Sequence, residues 1–211
     1  VRMSTWTTTH SLTQIAERLS PARSIVVLTH QKPDGDAVGS SISLVRALNA
    51  TGTPGLKPRA EAWYAGPFPP WMGDIIGATP HKRFEGNNQP PRHADPEVIV
   101  IVDTGSWSQL EPFADFIRGR ASEIIIIDHH KQGDAEIGEW RHLATDTAAA
   151  CMPVAELCRA LLNAPSLTAI PEEIATPLYL GTATDTGWFK HSNVNRPVMQ
   201  LAGDLLAAGA R

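Results

Sequence analysis

SIVVLTHQKPDGDAVGS, residues 24–40, joins an unbroken apolar run to three side chains that are costly to bury unpaired. Ser24–Leu28 shows no polar alternation, which suits a strand buried on both faces of a parallel sheet. His30, Asp34 and Asp36 follow it directly. Pro33, Gly35 and Gly39 make the connection a tight, constrained loop. Such a loop can present all three side chains to one point.

The design recurs. Val98–Val102 (VIVIV) runs into Asp103, Thr104 and Gly105, and Glu123–Ile127 (EIIII) runs into Asp128, His129 and His130. If the three strands share a sheet, their polar residues gather along its C-terminal edge, where open α/β sheets bind ligands. Asp185, in TATDTG, ends a further helix–loop unit that can cover the same crevice. Alone, each residue has a plainer use: His30 as a strand cap, Asp34 and Asp36 in turns or a helix cap, Asp103 as a strand end, Asp185 in an Asx-turn. Together they are different. Clustered carboxylates repel one another and lose solvation, so they must share protons or hold cations. Two divalent ions would formally neutralise four carboxylates, with imidazoles completing the coordination. Oxygen and nitrogen donors without thiolate favour Mn, Mg, Fe or Zn. Two such ions about 3.5–4 Å apart can clamp a phosphoryl group, and a nearby imidazole can steady developing charge. Gly39 and Ser40, read as opening the next helix, offer backbone donors to a phosphate or simply permit a close turn.

Helical spacing predicts helices over Leu12–Leu19, Ser40–Ala50, Thr147–Leu162 and Glu172 to about Ala183. Pro153 is tolerated in the third of these if it lies in the first turn or at a kink. Asn195 reads as the cap of a last helix, with Pro197 early in it. Thr51–Pro96 is crowded with Pro and Gly; Ala60–Tyr64 reads as a short strand, the rest as loops, and Gly86–Pro96 as the most mobile part.

The 211 residues suffice for one sizeable core, and 42% hydrophobic content fits a globular chain. With 18 basic and 22 acidic residues the net charge is −4. No global positive field exists to hold a long duplex nucleic acid, so an anionic substrate must be gripped locally. Cys151 and Cys158 share one helix-like stretch and read as buried thiols of a cytoplasmic protein. No leader-like or membrane-length apolar run is present, so no membrane partner is expected.

The four motifs, in order, resemble those of the DHH phosphoesterase family from about Arg23 to Asn193. PDGDAVGS and GTATDTGWFKHSN look most like its nanoRNase (oligoribonuclease) and pAp phosphatase branch. The resemblance implies a mostly parallel, Rossmann-like α/β catalytic domain flanked by helices, over residues 1–195, with 196–211 a terminal helix or the start of an interdomain linker. It implies two divalent metal ions, manganese by family habit, with magnesium left open by the sequence. His30, Asp34 and Asp103 would surround one ion, and Asp36, Asp103, His129 and Asp185 the other, with Asp103 as bridge. His130 would face the scissile phosphate as electrostatic stabiliser or proton donor. Asp128 would sit behind the site, orienting a histidine or the local backbone. Full-length relatives carry a second, smaller domain with a GGGH-like motif; nothing of that kind occurs here.

The implied activity is hydrolysis of short oligoribonucleotides to 5′-mononucleotides, removal of phosphate from pAp-like nucleotides, or both. The alternatives are hydrolysis of cyclic or linear dinucleotides, inorganic pyrophosphate hydrolysis, and nucleotide binding with little turnover. Lys131, Lys190, His191, Ser192 and Asn193 are open to phosphate or sugar contact or to plain solvation and turn shaping. Trp188 and Phe189 read as core packing, with base stacking as the other use. Trp63, Tyr64 and Trp71 suit a satellite core or a homodimer contact. Lys82 and Arg83 are too few for a basic face. His10, His81, His93 and His142 show no partner in the sequence.

Overall fold

The structure is a computed structural model that describes residues 5–52, 57–86, 88–91 and 93–211. Its strands are β1 (Ile25–Leu28), β2 (Ala60–Ala65), β3 (His81–Phe84), β4 (Val98–Val102), β5 (Ile124–Asp128) and β6 (Trp140–Leu143). They form one parallel sheet in the order β3-β2-β1-β4-β5-β6. The chain leaves β1 toward one edge, then returns at β4 and builds outward to the other. The switch between β1 and β4 opens a crevice beyond the strand ends. Leu28 pairs with Ile101, and Val102 with Ile127. This register brings the residues after β1, β4 and β5 to one level.

The pleat sends alternate residues to opposite faces, and both faces are covered. Val27, Val100, Ile125 and Ile127 face the larger core with helices α1 (Leu12–Leu19), α2 (Gly35–Ala50), α5 (Cys151–Leu161), α6 (Glu172–Asp185) and α7 (Arg196–Ala207). Val26, Leu28, Ile99, Ile101 and Ile126 face a smaller core with Phe113 and Phe116, beside α4 (Ala114–Ile117). Burial on both faces is why these strands read as apolar runs. Trp63 and Tyr64 are neighbours in sequence and therefore enter different cores. Both belong to the interior, whereas Trp71 on α3 (Pro70–Ile76) is 42% exposed.

Several elements differ from their expected bounds. The helix expected from Ser40 begins five residues earlier, because the Asp34 carboxylate caps it by accepting from the N–H groups of Asp36 and Ala37 at 3.0 Å each. Gly39 and Ser40 thus lie a full turn inside α2, buried, and cannot serve as phosphate donors. The helix expected from Thr147 begins at Cys151, with Pro153 in its first turn. α6 runs two residues further than expected, to Asp185, and contains Pro177. A proline leaves the carbonyl four residues earlier without its helical donor; here the Arg46 guanidinium donates to the Glu173 carbonyl instead. α3, β3 and β6 were not expected at all. The mobility expected of Gly86–Pro96 falls partly on residues 87 and 92, which lie outside the described residues. Asn195 caps α7 as expected, accepting from Val198 N–H at 3.1 Å.

Residues 5–10 run alongside β6, and the threonines there supply its missing partners. Thr9 N–H donates to Arg141 O at 2.8 Å, Thr9 Oγ1 accepts from Arg141 N–H at 2.8 Å, and Thr8 Oγ1 accepts from Leu143 N–H at 2.9 Å. His10 does have a partner, stacking on Trp140 with ring centres 3.7 Å apart. Among the described residues no helix is long and apolar enough to cross a membrane.

Candidate functional site

Four segments converge at the β1–β4 switch. Just beyond β1, His30 Nδ1 lies 2.9 Å from the Gln31 carbonyl, which can only accept. The Nδ1 proton is therefore committed, so the ring presents an Nε2 lone pair once a cation displaces its other proton. That Nε2 is 3.8 Å from Asp34 Oδ1 and 3.5 Å from Asp103 Oδ2. Asp36 is fully buried in the first turn of α2. Its carboxylate accepts from Ala150 N–H at 2.6 Å and Cys151 N–H at 2.9 Å, at the start of α5, where the helix dipole favours an anion.

Asp103 follows β4 in the left-handed region, φ 61°. A residue with a Cβ pays for that conformation, aspartate less than most. Such outliers concentrate at functional sites. Asp128, the last residue of β5, is buried and organises the loop after it. Its Oδ1 accepts from His129 N–H at 2.8 Å and His130 N–H at 3.2 Å, and lies 2.7 Å from His130 Nδ1. His129 Nε2 points the other way, 3.4 Å from Asp103 Oδ1, 3.4 Å from Asp185 Oδ2 and 4.0 Å from Asp36 Oδ2.

Asp36 and Asp185 can meet because α2 and α6 touch through small residues. A Cβ on Gly35 would lie 2.3 Å from Thr184 Oγ1, one on Gly39 2.3 Å from the Pro177 carbonyl, and one on Gly181 3.0 Å from Asp36 Cα. No larger side chain fits at these contacts.

Three sets of donor atoms each lie within 4.8 Å of one another: His30–Asp34–Asp103, Asp36–His129–Asp185 and an overlapping set of Asp103, Asp128, His129 and His130. Asp103 joins the first two, with one oxygen toward His30 and the other toward His129. In the protein alone, protons compensate the charge. Burial raises the Asp36 pKa, and the charges of Asp103 and Asp185 raise it further. Burial and the Asp103 charge push Asp185 up to about 6. Burial opposes protonation of both histidines, but hydrogen bonds to Asp103 and Asp34 carry His30 up to about 10. Asp103, with the charges of Asp36 and Asp185, carries His129 to about 9. A site that raises these pKa values so far favours positive charge at its centre. Its oxygen and imidazole donors fit divalent cations.

The groups line a cleft of about 420 Å³ completed by Thr104, Ser106, Gln109 and Gln132, with His130 on its wall. Among the described residues no aliphatic, Phe, Tyr or Trp side chain lines it. A larger hollow of about 860 Å³ lies beyond the ends of β2 and β3, but among the described residues it sets Glu85, Glu111 and Asp115 against Arg118, a poor surface for a phosphate.

All eight candidate residues, His30, Asp34, Asp36, Asp103, Asp128, His129, His130 and Asp185, thus lie at one edge. Lys131, Lys190, His191, Ser192 and Asn193 are exposed, and Asn193 Nδ2 donates to the Asp185 carbonyl at 3.1 Å. Phe189 is half-buried against Tyr179, ring centres 5.8 Å apart. Trp188, expected in the core, is instead 62% exposed. Both cysteines are buried free thiols, and Cys151 lies against Asp36.

The sequence reading missed Trp6. Its Nε1 donates to the His130 carbonyl at 3.0 Å. Its indole fills the space beside two glycines: a Cβ on Gly105 would lie 1.9 Å from the ring, and one on Gly133 2.5 Å from it. Trp6 therefore clamps the loop after β4 to the loop after β5. Those glycines are the only trace of it in the sequence. Trp6→Ala is expected to cost about 3 kcal/mol in denaturant unfolding and to weaken Mn²⁺ binding, measured by calorimetry, by roughly 10–100-fold. Trp6→Phe should retain most of the stability. Equal metal affinity in wild type and Trp6→Ala would remove this supporting role.

The profile of the DHH family, N-terminal domain, matches residues 24–182. The chain is 31% identical over 190 residues to the Bifunctional oligoribonuclease and PAP phosphatase NrnA of Thermus thermophilus, covering 89% of this chain and 51% of that protein. It is 24% identical over 192 residues to the Probable bifunctional oligoribonuclease and PAP phosphatase NrnA of Streptococcus mutans, covering 91% and 55%. The chain thus spans about half the length of these curated relatives. Its fold is similar to that of an exopolyphosphatase-related protein from Bacteroides fragilis, with a TM-score of 0.79 at 22% identity over 99% of this chain and 59% of that one. The matched span takes in the strands, loops and most of α6 that build the cleft, and the chain belongs to the DHH family.

Proposed function

We propose that the chain is the catalytic domain of a metal-dependent phosphoesterase that releases 5′-mononucleotides from short oligoribonucleotides and removes phosphate from pAp-like nucleotides. The observation that carries this reading is Asp103, whose Oδ2 and Oδ1 lie 3.5 Å and 3.4 Å from the imidazoles of two separate donor groups. A carboxylate so placed suits a bridge between two cations. Family membership and the names of the relatives support the substrate class.

His30, Asp34 and Asp103 would hold one divalent ion, and Asp36, Asp103, His129 and Asp185 the other; manganese is the ion proposed, with magnesium the alternative. Such a pair would supply an activated water and neutralise charge on the phosphoryl oxygens. The protein's own part is positional. Asp128 holds His130 through Nδ1, and this hydrogen bond, despite partial burial, raises the His130 pKa. When protonated, the ring keeps its Nε2–H free to meet a phosphate oxygen or to give its proton to the leaving oxygen. Polar walls without apolar side chains suit the sugar–phosphate portion of a nucleotide. Residues 1–195 carry the chemistry in this reading. Grip on the rest of the substrate falls partly to a second domain, for which the relatives' greater length leaves room. The buried thiols fit a cytoplasmic setting.

The test is release of 5′-mononucleotide from a linear RNA dinucleotide, and of phosphate from pAp, with Mn²⁺ supplied and with metal removed. Metal-dependent release of either product is expected. Absence of both products with Mn²⁺ present would sink the reading.

A further inference from the structure

The cleft can hold phosphate and sugar, but among the described residues its lining offers nothing flat and apolar to a base. One turn beyond Asp185 the chain does something unusual. Gly187, Trp188 and Phe189 are all left-handed, with φ of 55°, 57° and 62°. Glycine accepts this readily; two bulky residues in succession do not. The surroundings fix the turn firmly. Trp188 N–H donates to Ala183 O at 2.6 Å, Phe189 N–H to Thr186 Oγ1 at 3.2 Å, and Lys190 N–H to Thr186 O at 2.9 Å. The missing Cβ of Gly187 is replaced by the His191 ring, whose Nε2 would lie 2.2 Å from it.

This strained turn divides its two aromatics. Phe189 goes inward against Tyr179, while Trp188 is held 62% exposed. The indole of Trp188 has no hydrogen bond, ring contact or cation contact among the described residues. Trp6 and Trp107, the other tryptophans near the cleft, are engaged: Trp6 against Gly105 and Gly133, and Trp107 under Arg118 at 4.9 Å with its Nε1 on Glu136. Single exposed apolar residues are ordinary on a protein surface. One kept exposed by an unfavourable backbone, on the turn that follows Asp185, is a better candidate for function.

We propose that Trp188 is a stacking platform for the nucleobase of the nucleotide whose phosphate occupies the cleft. Indole faces accept any base, so the platform confers affinity for nucleotides without base specificity. Exposed Lys190 and His191 on the same turn add positive or polar groups beside the aromatic face. The proposal rests on the phosphoester reading above and assigns one of its substrate contacts.

Calorimetry with Mn²⁺ present, comparing 5′-AMP with ribose 5-phosphate, tests it in wild type, Trp188→Ala and Trp188→Phe. Wild type should prefer AMP. Trp188→Ala should lose about tenfold or more of its AMP affinity and none for ribose 5-phosphate, while Trp188→Phe keeps most of the preference. Trp188→Gly, which suits the left-handed backbone, provides a folded control that should behave like Trp188→Ala. Unchanged AMP affinity in Trp188→Ala, or no AMP preference in wild type, overturns the proposal. Turnover separates the two ideas. If wild type cleaves neither the dinucleotide nor pAp, the phosphoester reading fails, and the AMP comparison still decides Trp188.

Discussion

Asp103→Asn is expected to lower Mn²⁺-dependent turnover of a linear RNA dinucleotide by at least a thousandfold, about 4 kcal/mol of transition-state stabilisation. Asparagine preserves the shape of the side chain and tolerates the left-handed backbone at φ 61°. What it removes is the anionic pair of oxygens between His30 and His129. Each donor group then loses its shared member. The fold should survive, since the backbone N–H of Asp103 still donates to Ile127 O at 3.0 Å. The melting temperature in wild type should rise with Mn²⁺, because a ligand that binds only the folded state stabilises it by mass action. That rise should nearly vanish in Asp103→Asn. Turnover within tenfold of wild type would exclude Asp103 as the bridge.

The second large effect concerns packing. Gly39→Ala adds a single carbon that would lie 2.3 Å from the Pro177 carbonyl and 3.0 Å from Cys151 Sγ. The first obstacle is backbone, which cannot rotate away as a side chain could. α6 must shift, at a cost of about 3 kcal/mol or more. For a domain of this size that is a fall in melting temperature of roughly 6–12 °C. Gly73→Ala is the natural comparison, because nothing lies within 4 Å of the added carbon on α3; it should be neutral or slightly stabilising. Because α2 carries Asp36 and α6 carries Asp185, Gly39→Ala should weaken metal binding as well. A melting temperature within 2 °C of wild type, a drop of about 1 kcal/mol or less, would show that the helices are not in close contact.

These two residues also mark what a reader of the sequence can and cannot see. Asp103 was visible because a carboxylate after VIVIV is chemically out of place, and β1, β4 and β5 announce themselves because both faces are buried. Edge strands carry no such mark. β3 is HKRF, three of its four side chains are exposed, and only backbone pairing to β2 makes it a strand. β6, WRHL, is hidden for a similar reason. α3 sits in a proline-rich stretch that suggests loops, although Pro70 fits a first helical turn. The reading of Gly39 as a phosphate donor failed because the Asp34 cap starts α2 earlier than its apolar periodicity suggests. Trp6 was missed, and Trp188 read as core packing, for another reason. One acts through glycines about 100 and 127 residues distant, and the other owes its exposure to a backbone conformation imposed by the end of α6. Neither cause is local.

The threonine strap along β6 bears on colloidal behaviour. A parallel sheet has two raw edges, and each can recruit a strand from another molecule. At the β3 edge the exposed charged side chains of Lys82 and Arg83 discourage such recruitment. At the β6 edge Thr8 and Thr9 occupy the outward backbone groups of Arg141 and Leu143. A short segment outside the sheet thus keeps the β6 edge from offering free backbone groups to another molecule. Proteolytic nicking near Ser11 would free this edge and, by releasing Trp6, would also loosen the loops after β4 and β5.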